Sequence, residues 1–147
     1  MTPDINVLIA ASRADHVHHG IARRWLTKAL RASSSGARLD VMPMAIAGFF
    51  RLVTHERVFP DPTPLEAAVA FIDALLSAPG VDVLALGTEW ETLKRLVLDE
   101  GLTGNAIPDA WIAAAVRANN AHLVTFDRGF RRLLGKRELT ILPTRAA

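Results

Sequence analysis

Hydrophobic and polar positions follow two different periods along this chain, and the switches between them lay out the elements. Short apolar runs bounded by turn residues read as buried strands at residues 1–4, 38–42, 81–86, 122–126 and 139–142. Between them, apolar residues recur at helical spacing. Ile21, Ala22, Trp25, Leu26 and Ala29 form a stripe in a helix over 16–32, with Asp15 as its expected N-cap. A helix over 44–53 ends in Phe49, Phe50, Leu52 and Val53. Thr63 with Glu66 three residues on has the form of a capping box for a helix over 64–77, and Thr88 with Glu91 has it for one over 89–100 that Gly101 closes. The helix over 106–118 is apolar almost all round, which marks it as packed on several sides. A short helix follows over 128–134, and another comes directly after Asp4. Strands alternating with helices predict an α/β fold, a central parallel sheet covered on both faces, in one domain over 1–147. The first strand is unusually short, which leaves open a start upstream of Met1.

Composition narrows the class. Of 147 residues, half are hydrophobic and 22% charged, so the chain folds around a core rather than staying disordered. A net charge of +2 does not by itself name a nucleic acid as partner. The absence of cysteine excludes disulfides, thiolate–zinc sites and a cysteine nucleophile. The apolar runs at 7–11 and 41–53 are too short or too interrupted for a signal core or a membrane span. A soluble cytoplasmic protein is expected, with no membrane partner.

The candidate chemistry is acidic. Asp4 ends the first strand, Asp127 ends the fourth, and Asp109 opens the helix that feeds the fourth. A helix runs antiparallel to the strand it feeds, so in a parallel sheet all three carboxylates meet at the carboxyl edge, where open α/β sheets bind ligands. Two like charges about 4 Å apart repel by about 4 kcal/mol at an effective dielectric near 20. Folded proteins are stable by only about 5–15 kcal/mol. Three clustered carboxylates therefore call for protons or a cation, and a hard divalent ion such as Mg²⁺ suits oxygen ligands. Taken singly, each acid has a plainer reading: a turn residue at Asp4, a first-turn acid favoured by the helix dipole at Asp109, an N-cap at Asp127. Their joint placement favours the metal site. Asn6 and Thr125 are placed to support it.

These residues carry a resemblance. Asp4-Ile5-Asn6-Val7-Leu8, Gly104-Asn105 with Asp109-Ala110 behind it, and Thr125-Phe126-Asp127-Arg128-Gly129-Phe130 resemble the three signature segments of PIN-domain nucleases, in particular the VapC-type toxins of bacterial toxin–antitoxin pairs. The segment Arg51 to Phe59 adds to the likeness, which runs through nearly the whole chain in order and spacing. The resemblance implies a three-layer α/β/α fold, an endoribonuclease dependent on Mg²⁺ or Mn²⁺, a homodimer, and a VapB-type antitoxin as partner. It makes Asp4, Asp109 and Asp127 the catalytic metal ligands. Two positions depart from the pattern: a glutamate usual in the helix after the second strand is matched by Gly48, and an acid often found two residues after the fourth-strand aspartate is Gly129. A catalytically degenerate PIN-like module that binds RNA or protein is the alternative. A phosphatase with Asp4 as nucleophile is weaker, because Asn6 stands where that chemistry usually has an acid.

Around the acids, Arg128, Arg131 and Arg132 are candidate contacts for RNA phosphates, with a solvated basic face as the plain reading. Phe49, Phe50, Val53, Phe59 and Phe71 could line a groove for an antitoxin helix, although most are expected in the core. His16, His18 and His19 read as solvated helix-end residues, His55 and His122 as structural, and Trp25 and Trp111 as packing.

Overall fold

The computed structural model describes residues 1–144. Among the described residues five strands and six helices appear in the order β1 (Thr2–Pro3), α1 (Ile5–Ser12), α2 (His19–Ser34), β2 (Leu39–Val41), α3 (Pro43–Val53), α4 (Leu65–Leu76), β3 (Val81–Val83), α5 (Trp90–Glu100), α6 (Ile107–Ala118), β4 (Leu123–Thr125) and β5 (Leu139–Ile141). Short 3-10 segments at Gly104–Ala106 and Arg128–Arg132 lead into α6 and follow β4. Every strand pairing is parallel: β1 with β4, β4 with β5, and β2 with β3. The two ladders abut where the Met1 amino group donates to the Arg38 carbonyl at 2.8 Å and the Asp40 amide donates to the Met1 carbonyl at 2.9 Å. The spatial order is thus β3-β2-β1-β4-β5. The connections from β1 to β2 to β3 step one way and that from β3 to β4 steps back, so right-handed crossovers put α5 and α6 on the opposite face from the earlier helices. This is the expected three-layer α/β/α arrangement.

The core forms where apolar strands meet the inner helix faces. Val7, Leu8 and Ala10 of α1, Val41 of β2, Phe49 and Val53 of α3, Leu123 and Val124 of β4, and Ala113 to Val116 of α6 are fully buried. The inner strands β1, β2 and β4 are buried on both faces, whereas the edge strands β3 and β5 are partly exposed. Among the described residues no helix is long and apolar enough to cross a membrane.

Three capping expectations fail, and in each a member of the expected cap pairs with a cation instead. Asp15 does not cap α2, which begins at His19. Instead it accepts from the Arg13 guanidinium at 2.7 and 3.1 Å. Thr63 also receives Arg13, at 3.0 Å, and makes no cap for α4. Glu91 pairs with Lys94 at 2.8 Å, and α5 starts without a side-chain cap. The end signal of α5 holds: Gly101 adopts the left-handed conformation at φ 60°. The expected third strand over 81–86 stops at Val83, the expected helix over 16–32 runs as His19–Ser34, and the expected helix over 128–134 is a 3-10 segment.

Candidate active site

Parallel register delivers the first carboxylate. Pro3 lies opposite Val124, so the next residue, Asp4, comes level with Thr125, and its amide donates to the Val124 carbonyl at 2.9 Å. Asp4 is buried and is held by three donors. The Ile5 amide donates to Oδ1 at 2.7 Å, which caps α1, while the Thr125 hydroxyl at 2.6 Å and the Asn6 amide group at 3.1 Å donate to Oδ2. The Thr125 oxygen in turn accepts from the Asp127 amide at 3.0 Å, and the Asn6 Oδ1 accepts from the Phe126 amide at 3.2 Å. Asn6 and Thr125, singled out as supports, join the ends of β1 and β4 into one polar network.

Asp127 caps the 3-10 segment, its Oδ1 accepting from the Gly129 amide at 2.7 Å, and stands exposed. Asp109 lies in the first turn of α6 behind Pro108, half-buried, and makes no side-chain hydrogen bond to any described residue. Burial raises the pKa of Asp4 above the usual aspartate range, against the donors from Thr125 and Ile5, and the charges of Asp109 and Asp127 push it further. Burial and the Asp127 charge raise Asp109 in the same way. The charges of Asp109 and Asp127 thus reach Asp4, and that of Asp127 reaches Asp109. Among the described residues no group of three or more acidic or histidine side chains closes into a ready metal cage. The donor chemistry fits a hard divalent cation that keeps several of its waters and shares its shell with a phosphate.

Both departing positions are tightly surrounded. A Cβ at Gly48 would stand 2.6 Å from Cδ1 of Ile5, so a larger side chain there requires the end of the Ile5 chain to move. A Cβ at Gly129 would stand 3.0 Å from Asp127 Oδ1, and a larger side chain there would crowd the carboxylate that its own amide supports.

The candidate RNA-binding arginines divide. Arg132 is tied back to α5, donating to the Glu100 carbonyl at 2.9 Å and pairing with its carboxylate at 3.5 Å. Arg128 and Arg131 are exposed, with no ion pair among the described residues. The aromatic groove fails as drawn: Phe49 and Val53 are fully buried, Phe49 stacks on Phe71 at 5.4 Å, and Arg13 covers Phe59 at 3.9 Å. An apolar groove of about 470 Å³ lies elsewhere, between Ile5, Met44, Gly48, Pro108 and Trp111, beside the acids. His122 is structural as expected, its ring nitrogens bonded to the Arg137 carbonyl and the Thr140 hydroxyl.

Two features escape sequence reasoning. His18 stacks on Phe126 at 4.8 Å, between Thr125 and Asp127, although 108 positions separate the two rings. Buried Glu89 accepts from Trp111 Nε1 at 3.0 Å, fixing an indole two residues beyond Asp109. Neither pairing leaves a local signal, because both partners sit on elements that meet only in the fold.

Comparison with known proteins agrees with this arrangement. The family model for the PIN domain matches residues 1–136. Ribonuclease VapC43 of Mycobacterium tuberculosis is 39% identical over 130 residues, covering 88% of this chain and 86% of the relative. Ribonuclease VapC31 of the same species is 34% identical over 137 residues, covering 92% and 94%. Among solved structures, VapBC2 from Rickettsia felis bound to a DNA fragment from its promoter superposes with a TM-score of 0.66 at 17% identity, over 97% of this chain and 98% of the other. VapC20 of M. tuberculosis, a Sarcin-Ricin loop cleaving toxin, gives 0.59 at 19% identity over 88% and 92%. At those identities the two structures speak for the fold. The chain belongs to the PIN-domain family, and within it to the branch of the VapC ribonucleases.

Proposed function

We infer that this protein is the RNA-cleaving toxin of a VapBC-type pair, an endoribonuclease that hydrolyses phosphodiester bonds at Asp4, Asp109 and Asp127 with a divalent cation, Mg²⁺ or Mn²⁺. The observation that carries the reading is the placement of Asp4 at the end of β1, Asp127 at the end of β4 and Asp109 in the first turn of α6, at one edge of a PIN fold. When bound, such a cation offsets clustered negative charge, polarises a phosphodiester and makes water more acidic. This chain's residues divide the remaining work. Asp4, clamped by Thr125, Asn6 and the Ile5 amide, is the fixed ligand. Asp127 keeps Oδ2 free while Gly129 holds Oδ1. Asp109, half-buried in the first turn of α6 and with no side-chain hydrogen bond to any described residue, is open to hold the cation directly or through a water. Arg128 and Arg131, exposed and soon after Asp127 in sequence, are the candidates to meet backbone phosphates. A VapB-type antitoxin and a second copy of the chain are the expected partners, and the groove along Ile5, Met44 and Trp111 is a suitable place for an antitoxin segment.

Incubation of the purified protein with cellular RNA and Mg²⁺ or Mn²⁺ tests the reading. Discrete new RNA ends are expected from the wild type and none from Asp109→Asn; equal cleavage by the two would sink the mechanism. One observation favours the alternative of a binding module without catalysis: Gly48 stands where the family pattern has an acid, and Ile5 packs against it. Calorimetry with Mn²⁺ separates the two readings, since an inactive module has no need of the ion.

A further inference from the structure

We propose that the exposed face of α2 is an RNA-docking track that receives the substrate's backbone leading away from the cleavage site. The proposal rests on the ribonuclease reading above and adds a second surface to it. Helix α2, His19–Ser34, contains Arg23, Arg24, Lys28 and Arg31 and no acid. All four cations are exposed, and none forms an ion pair or side-chain hydrogen bond with a described residue. At about 100° per residue they fall, with Gly20 and Thr27, inside an arc of about 140°, opposite the buried stripe of Ala22, Leu26 and Ala29. Together these residues line an open hollow of about 640 Å³. Like charges crowded on one face repel, so an uncompensated set of four fits a polyanion better than it fits a folding role.

The track is anchored to the site. His18, immediately before α2, stacks on Phe126, whose neighbours in sequence are Thr125 and Asp127. His19 bonds the Ala10 carbonyl at 2.8 Å and locks the same end onto α1. With a rise of about 1.5 Å per residue, the cations extend from one turn beyond this anchor to about 18 Å from it. Helical side chains lean toward the N-terminus, and Arg24 does so: its guanidinium lies over Gly20, with Nη1 3.5 Å from where a Cβ would stand. The stripe therefore begins a turn beyond a ring stacked on the neighbour of Asp127 and leads outward from there. An RNA strand with its scissile phosphate at Asp4, Asp109 and Asp127 can lay its flanking phosphates along it. Charge complementarity selects the occupant, because the face offers four cations and no acid.

Anisotropy with a labelled RNA hairpin, in chelator and across a salt series, tests the track without relying on cleavage. Each phosphate contact contributes about 0.7–0.9 to the slope of log affinity against log salt. The full-length Arg24→Gln/Lys28→Gln/Arg31→Gln protein is expected to lose about 2–3 units of slope and more than tenfold in affinity at low salt. Its melting temperature should be no lower than that of the wild type. The charge-conserving Arg24→Lys/Arg31→Lys protein should keep the slope. Cleavage of a tetranucleotide too short to reach α2 should be unchanged, which separates docking from chemistry. An unchanged slope in the glutamine protein would overturn the proposal, as would equal loss in the lysine protein. Loss of binding to a DNA duplex with RNA binding intact would overturn it too. Should the wild type cut no RNA under any divalent ion, the toxin reading fails, while the salt series still decides the track.

Discussion

Thr125 uses one hydroxyl for several tasks: it donates to Asp4, and its oxygen accepts from the Asp127 amide and from Asn6 Nδ2. Valine has the same shape and none of these bonds. Removing one partner of a buried polar group costs about 1–3 kcal/mol, so Thr125→Val is expected to lower stability by about that much in urea titration. Its cleavage rate should fall further, because Asp4 and Asp127 lose their common reference point. A variant as active as the wild type would show that the network only supports the fold. Asp109→Asn should behave in the opposite way toward stability. It removes a half-buried charge that repels its neighbours, so the metal-free protein should melt at the same or a higher temperature while cleavage falls by about a hundredfold or more. The pairing of lost activity with undiminished stability is what marks a functional acid rather than a structural one.

At the scale of elements, the strands, the helices and their order were legible in the sequence because hydrophobic period and turn residues are local signals. So was the position of each acid at the end of its element, because alternation of strand and helix sets which ends share an edge. The caps were not legible, and Arg13 explains two of the three failures. This one buried guanidinium follows the end of α1, binds Asp15 before α2, and reaches Thr63 and the Asp61 carbonyl ahead of α4 while lying over Phe59. Thr63 and Asp15 carry the right residue types for capping, yet a partner up to 50 positions away claims them. Arg13→Ala strands the Thr63 and Asp61 acceptors and uncovers the Phe59 ring, and about 2 kcal/mol of lost stability is expected from such an uncoupling. The loss should come with faster amide exchange in the segment between α3 and α4 than in the sheet, read by hydrogen-exchange mass spectrometry. Uniform loosening would mean that Arg13 acts on the core as a whole. The supports for the acids were half legible: Asn6 and Thr125 sit next to them in sequence, whereas His18 and Glu89 reach the site only through tertiary packing.

For the whole molecule, the acids link folding, pH and metal. Burial, and then neighbouring charge, raises Asp4 and Asp109 in the folded state, whereas in the unfolded chain both titrate near the ordinary aspartate value, about 4. Between the ordinary and the raised values the folded protein holds more protons than the unfolded one. The stability these groups contribute is therefore complete below the ordinary value, falls as pH climbs through the window, and is constant above it. Asp40, also raised by burial, adds a slope of the same sign. It lies in β2, salt-bridged to Arg38, so a cation at the site leaves its contribution unchanged. The difference between melting curves in Mg²⁺ and in chelator then isolates the site. That difference should be near zero at about pH 4, grow as Asp4 and Asp109 give up their protons, and level off once both are ionised, since a cation competes with protons for the same oxygens. In Asp109→Asn the gain should shrink at every pH. A Mg²⁺ gain that stays the same across the whole range would place the ion elsewhere on the molecule, because binding to these acids has to displace their protons.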